Sequence, residues 1–154
     1  MRVIFLDIDG VLNSRQYDRC RKFEEGNIDE SRLVLLKQLV DQTGAMIVLS
    51  SSWRRHWDPR GISTDDTGLQ LDSLFKRYGM ILYDRTPEID NDRAREIAAW
   101  LSDHQRTESF VILDDIKFGW GDLDEKVVKT DYRIGRGLEQ RHVEKAIKIL
   151  MKAE

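Results

Sequence analysis

The 154-residue sequence holds one cysteine, Cys20, and two prolines, Pro59 and Pro87. A lone cysteine cannot form an internal disulfide. That excludes a disulfide-stapled secreted scaffold and makes a reducing cytoplasmic setting the expectation. No low-complexity stretch, repeat or proline-rich linker interrupts the chain, so residues 1–154 read as one domain. Long apolar runs are missing too. The first one, Val3–Leu6, ends at Asp7, too short for a signal-peptide core or a membrane span. Nor is there an excess of basic charge. Lys and Arg number 25 against 28 Asp and Glu, a net charge of −3, which argues against a general nucleic-acid coat protein but allows a local basic patch.

What the sequence does have is a set of short, branched, continuous apolar runs: Val3–Leu6, Ala45–Leu49, Met80–Leu82 and Phe110–Leu113, with a weaker one at Lys126–Lys129. Continuous rather than alternating runs are how strands buried on both faces read. Helical spacing lies between them. Leu33, Leu36, Leu39 and Val40 follow the caps Asp29 and Ser31 and stop at Gly44. Leu71, Leu74, Phe75 and Tyr78 stop at Gly79. Asn91 or Asp92 caps a helix carrying Ile97, Trp100 and Leu101, and a last helix from about Leu138 buries Val143, Ile147, Leu150 and Met151. Alternation of this kind predicts an α/β fold: a Rossmann-like parallel sheet of about five strands with helices on both faces. Ligands then bind beyond the carboxyl ends of the strands.

Those ends carry the chemistry. The first run finishes in Asp7-Ile8-Asp9-Gly10. Two carboxylates two residues apart on a strand share a side and repel unless a cation or proton intervenes. The second run finishes in Ser50-Ser51-Ser52, hydroxyls that suit a phosphate. The fourth finishes in Asp114-Asp115, hard oxygen ligands that suit Mg²⁺. The serine loop or the Asp-Asp pair alone is as common in ordinary solvated loops, whereas an acid pair flanked by apolar residues and followed by glycine is not an ordinary turn, and all three at separate strand ends reinforce one another.

Taken together they resemble the haloacid dehalogenase superfamily. Val3-Ile4-Phe5-Leu6-Asp7-Ile8-Asp9-Gly10-Val11-Leu12 resembles its first motif, Ile47–Ser50 its second, and Phe110–Asp115 its fourth in the double-acid form. The third motif is a basic residue ahead of the fourth strand. Arg93 and Arg95 both qualify, and Arg93-Ala94-Arg95-Glu96-Ile97 favours Arg93 by its likeness to a compact subgroup that includes phosphatase-like domains of RNA-repair proteins. The resemblance implies a Mg²⁺-dependent phosphomonoester hydrolase. Asp7 would be the nucleophile, Asp9 the general acid and base, and Ser50 or Ser51 the phosphoryl ligand, with Arg93 stabilising charge. It assigns the metal to Asp7, the Asp9 carbonyl, Asp114 and Asp115; Ser51, Gly10 and, from the basic segment it belongs to, Arg54 are the expected substrate contacts. Asp9 points to phosphoryl chemistry, because the dehalogenating members lack that acid.

Substrate clues are local. Residues 13–29 and 83–91 are too short to hold a cap domain with its own core, so an open site and a bulky substrate are expected. Arg15, Arg19, Arg21 and Lys22 make a basic segment beyond the first motif, and Arg54, Arg55 and Arg60 another beyond the second, with Trp53 and Trp57 interleaved. Cations with aromatics suit a nucleic-acid end or a nucleotide. A solvated loop with its tryptophans tucked inward is the plainer reading of the same residues. The alternatives to a nucleic-acid terminal phosphatase are a small-metabolite phosphatase and a binding module without turnover. His56, His104 and His142 lack metal-ligand spacing and read as surface or packing residues, and Cys20 as a bystander.

Overall fold

A computed structural model describes residues 1–22 and 24–152. Among the described residues, five strands form one parallel sheet: β1 (Arg2–Leu6), β2 (Met46–Leu49), β3 (Leu82–Arg85), β4 (Ser109–Asp114) and β5 (Val127–Lys129), in the order β3-β2-β1-β4-β5. Five α-helices connect and cover them: α1 (Arg15–Cys20), α2 (Glu30–Thr43), α3 (Asp66–Arg77), α4 (Arg93–Asp103) and α5 (Gln140–Met151). The helices start and stop where local chemistry dictates. Asp29, Asp65 and Asp92 cap α2, α3 and α4 through their carboxylates, and Gly44 ends α2 in the left-handed conformation.

The strands alternate between two cores. Ile4, Leu6, Ile47, Leu49, Val111 and Leu113 pack against α2, α3 and α5. Val3, Phe5, Val48 and Ile112 pack on the other face against Ile97 and Trp100 of α4. Phe5 meets Trp100 edge to face at 5.3 Å. The period-two alternation of strand side chains therefore directs Asp7, Ser50 and Asp114 to the α4 side, along with Phe5, Val48 and Ile112.

Backbone bonds run past the strand ends and draw them into one row. Asp7 N–H donates to Leu113 O, Ser50 N–H to Leu6 O, Thr86 N–H to Leu49 O and Thr130 N–H to Asp114 O. Between β1 and α2 the described residues form only the six-residue α1 and loops, so no cap domain covers this row. Among the described residues no helix is long and apolar enough to cross a membrane.

Two expected boundaries and one expected burial are corrected. The third strand is Leu82–Arg85, not Met80–Leu82; Met80 is buried from the preceding loop while Ile81 is exposed. As an edge strand β3 tolerates polar residues, here satisfied by Trp100 Nε1 donating to Asp84 and by Arg85 donating to the Arg54 and Trp57 carbonyls. The last helix starts at Gln140, because Leu138 belongs to the loop and a capping box of Glu139 and His142 begins the helix. Met151, at that helix's end, is exposed.

Candidate active site

Asp7, Asp114 and Asp115 each offer a carboxylate oxygen, and these lie within 4.8 Å of one another. Asp7 and Asp114 are buried and Asp115 half-buried. Burial first, and then the proximity of other acids, raises the carboxyls of all three. Burial pushes the Asp7 carboxyl well up, helped by the charge of Asp114, with Arg93 opposing. Burial raises Asp114 to about 6, again against Arg93, and raises Asp115. Three hard oxygen donors facing one arginine fit a divalent cation such as Mg²⁺ in chemistry and in charge.

Arg93 is the cation of the site. At the first turn of α4 it donates from Nη1 to Asp114 Oδ2 and to the Ser50 carbonyl, both at 2.7 Å, and stands 3.5 Å from Asp7 Oδ1. Arg95 points elsewhere, exposed and paired with Asp90 at 3.2 Å. Of the two arginines open in the sequence, the structure brings Arg93 to the acids.

The serines are separated by their hydrogen bonds. Ser51 Oγ accepts from Trp53 N–H and caps the 3₁₀ turn Ser52–His56. Ser50 Oγ is buried and has no protein partner. A buried hydroxyl left unpaired is costly, and an incoming oxyanion would satisfy it. So the hydroxyl free for a ligand is that of Ser50, and Ser51 is committed to local structure.

Asp9 lies outside the acid cluster and is exposed. Asn13 Nδ2 donates to its Oδ1 at 2.9 Å and Trp53 Nε1 to its Oδ2 at 3.2 Å. Its carboxylate is thereby held at the mouth of the site and is no ligand of the cluster. Asn13 and Trp53 were not expected as its supports; the partners are 4 and 44 residues away, and only the first separation is local.

Two expected substrate contacts, Gly10 and Arg54, already have protein partners. Gly10 gives its N–H to Asn13 Oδ1 at 2.8 Å, so that donor is taken. Its importance is steric: at φ +85° it adopts a conformation L-residues avoid, and a Cβ there would collide with the Asp115 carboxylate. Arg54 is buried, with Nη2 on Glu96 Oε2 at 2.7 Å and Nη1 on the Ser51 carbonyl at 3.2 Å. Through those two groups it fastens the 3₁₀ turn to α4, while its Nε has no hydrogen-bond partner. Trp57 and Trp120 are buried, as in the plainer reading of the aromatic residues, while Trp53 is half-buried at the mouth. Arg15, Arg19 and Lys22 are exposed on and after α1. His142 caps α5, His104 stacks on Trp100 and His56 pairs with Asp65.

A feature unmarked in the sequence is Phe118, 87% exposed. With Ile116, Trp120 and Arg93, which also pairs with Asp114, it lines a cavity of about 380 Å³. An exposed phenyl ring offers a surface on which a planar leaving group could stack.

A family model described as the HAD domain in Swiss Army Knife RNA repair proteins matches residues 3–143. No curated protein matches the chain.

Proposed function

The chain belongs to the HAD domain family of Swiss Army Knife RNA repair proteins, a branch of a hydrolase superfamily, and from this we propose a Mg²⁺-dependent phosphomonoesterase acting on nucleic-acid terminal phosphates. The observation that carries the proposal is the placing of the Asp7, Asp114 and Asp115 carboxylates within 4.8 Å of one another beside Arg93. Mg²⁺ bound by these three acids and the Asp9 carbonyl would neutralise the charge of an anionic nucleophile meeting an anionic phosphate.

The chain's own residues divide the remaining work. Asp7 Oδ1 accepts the Ile8 N–H at 2.9 Å, which fixes the carboxylate's orientation for attack on phosphorus. A new bond forms between Asp7 and phosphorus as the ester P–O bond breaks, giving an aspartyl-phosphate. Asp9 donates the proton that the leaving oxygen takes up. It then accepts a proton from the water that attacks the same phosphorus, releasing phosphate and restoring Asp7. Ser50 Oγ donates to a phosphoryl oxygen, and Arg93 stabilises the charge that develops on the others.

Support for a nucleic-acid end comes from the family description, the uncapped site, the exposed Arg15, Arg19 and Lys22, and the ring of Phe118. The test is hydrolysis of an aryl phosphate with and without Mg²⁺, followed by a panel of 3′- and 5′-phosphorylated oligonucleotides, nucleotides and sugar phosphates. Mg²⁺-dependent turnover with preference for oligonucleotide ends is expected. Turnover of sugar phosphates alone would assign the protein to small metabolites.

A further inference from the structure

One cavity outside the acid cluster has the makings of a binding site. It measures about 350 Å³ and is walled by Arg54, Arg55, Ser63, Arg85, Thr86 and Glu88. Thr86 lies at the end of β3, where its N–H donates to Leu49 O. It therefore continues the row of strand ends one step out from Ser50. Two strand spacings separate Asp7 from Thr86, about 10 Å at the usual 4.8 Å each.

Its donors outnumber its acceptors. Thr86 is 2% exposed and its Oγ1 has no partner. Arg54 Nε is likewise buried without a hydrogen bond. Arg85 gives Nη1 to the Arg54 and Trp57 carbonyls, which fixes the guanidinium at the cavity wall. The one acid on the wall is Glu88, about half exposed, whose Oε1 lies 2.6 Å from Arg55 Nε and 3.8 Å from Arg54 Nε. An oxyanion already sits against these arginines, then, and it is the side chain most easily displaced into water. A buried hydroxyl without a partner, next to arginine forks, matches the tetrahedral oxygens of a phosphate.

We propose that this cavity is a second phosphate site, which takes a backbone phosphate of a single-stranded nucleic acid whose terminal phosphate lies at Asp7. The choice of ligand rests on the function proposed above; the site itself does not. Glu88 holds the arginines when no strand is bound and swings out when the phosphate replaces it. Arg55 and Thr86 then supply the donors.

The experiment measures binding rather than turnover. A fluorescently labelled single-stranded RNA tetranucleotide with hydroxyl ends, which offers only backbone phosphates, is titrated into the full chain and followed by anisotropy. Arg55→Gln and Thr86→Val are each expected to weaken binding about tenfold, the loss of one charge-assisted contact. Glu88→Gln is expected to tighten it. Arg55→Gln also flattens the dependence of log affinity on log salt by about 0.7, while Thr86→Val leaves that slope alone. Thr86→Val is nearly isosteric and Arg55 is exposed, so both variants keep the fold.

Equal affinity in wild type and all three variants, or no binding to wild type, would overturn the proposal. With inorganic phosphate titrated in parallel, variants that weaken its binding while RNA binding stays unchanged would also overturn it and give the cavity to free anions. Failure of the catalytic reading is visible separately: strand binding would respond to these variants while no phosphate ester is hydrolysed.

Discussion

Trp53 Nε1 donates to Asp9 Oδ2 across 3.2 Å, joining the turn after β2 to the acid that follows β1. With Asn13 on the other oxygen, the indole sets where the Asp9 carboxyl stands. Trp53→Phe keeps an aromatic ring, though a smaller one, and removes the donor. Expected is a fall in kcat of about tenfold with little change in KM, because a positioning residue acts on the proton transfer and not on phosphate binding. Steady-state kinetics on an aryl phosphate check it. A change in KM alone would place Trp53 in substrate binding instead.

The acid cluster makes stability depend on pH and on metal. Asp7, Asp114 and Asp115 all have carboxyls raised in the folded state, Asp114 to about 6 from an ordinary 3.8. The unfolded chain therefore releases these protons first. Metal-free protein should lose stability as pH rises from about 4 through 6, with Asp114 accounting for about 3 kcal/mol. Asp114→Asn should flatten that part of the pH profile, which separates it from the contributions of other groups. Near pH 7.5, saturating Mg²⁺ should raise Tm by roughly 5–10 °C, and near pH 4.5 by little. Thermal melts at the two pH values decide the matter, and equal shifts would contradict the assignment of these acids to the metal.

Gly10→Ala tests the steric role of that position. The left-handed φ of +85° and the collision with Asp115 should together destabilise the fold by about 1–3 kcal/mol. Asp115 would be displaced, so the Mg²⁺-induced rise in Tm should shrink as well. Urea unfolding and melts with Mg²⁺ measure the two effects.

Arg54→Ala distinguishes an internal brace from a substrate contact. Glu96 is almost fully buried; it accepts from Arg54 at 2.7 Å and from Ile89 N–H at 2.9 Å. Removing the arginine leaves the buried carboxylate with only the Ile89 N–H and the more distant Arg93, whose Nε is 3.9 Å from Oε1, which should cost about 3 kcal/mol in urea unfolding. A variant of unchanged stability with a raised KM would restore Arg54 to the substrate.

The parts of this site that were readable in sequence were those written at strand ends. Asp7, Ser50 and Asp114 each close a continuous apolar run, and a parallel sheet aligns such ends by backbone bonding alone. Choosing between Ser50 and Ser51, or Arg93 and Arg95, required knowing which group was already occupied. Ser51 is occupied locally, by the Trp53 N–H, but the partner that singles out Arg93 comes from another element, Asp114 of β4. The third strand lies beyond its apolar run because an edge strand can carry Asp84 and Arg85, which interrupt the apolar signal. Thr86 and Phe118 gave no signal, since one is a threonine after a polar strand end and the other an aromatic in a loop. Only burial and exposure in three dimensions set them apart.

The most direct measurement is the rate of aryl phosphate hydrolysis by Mg²⁺-loaded wild type and Asp7→Asn. Asparagine keeps the side chain's shape but cannot form the phosphoryl ester, so a fall in kcat of about a thousandfold or more is expected. Equal rates in the two proteins would contradict Asp7 as the nucleophile.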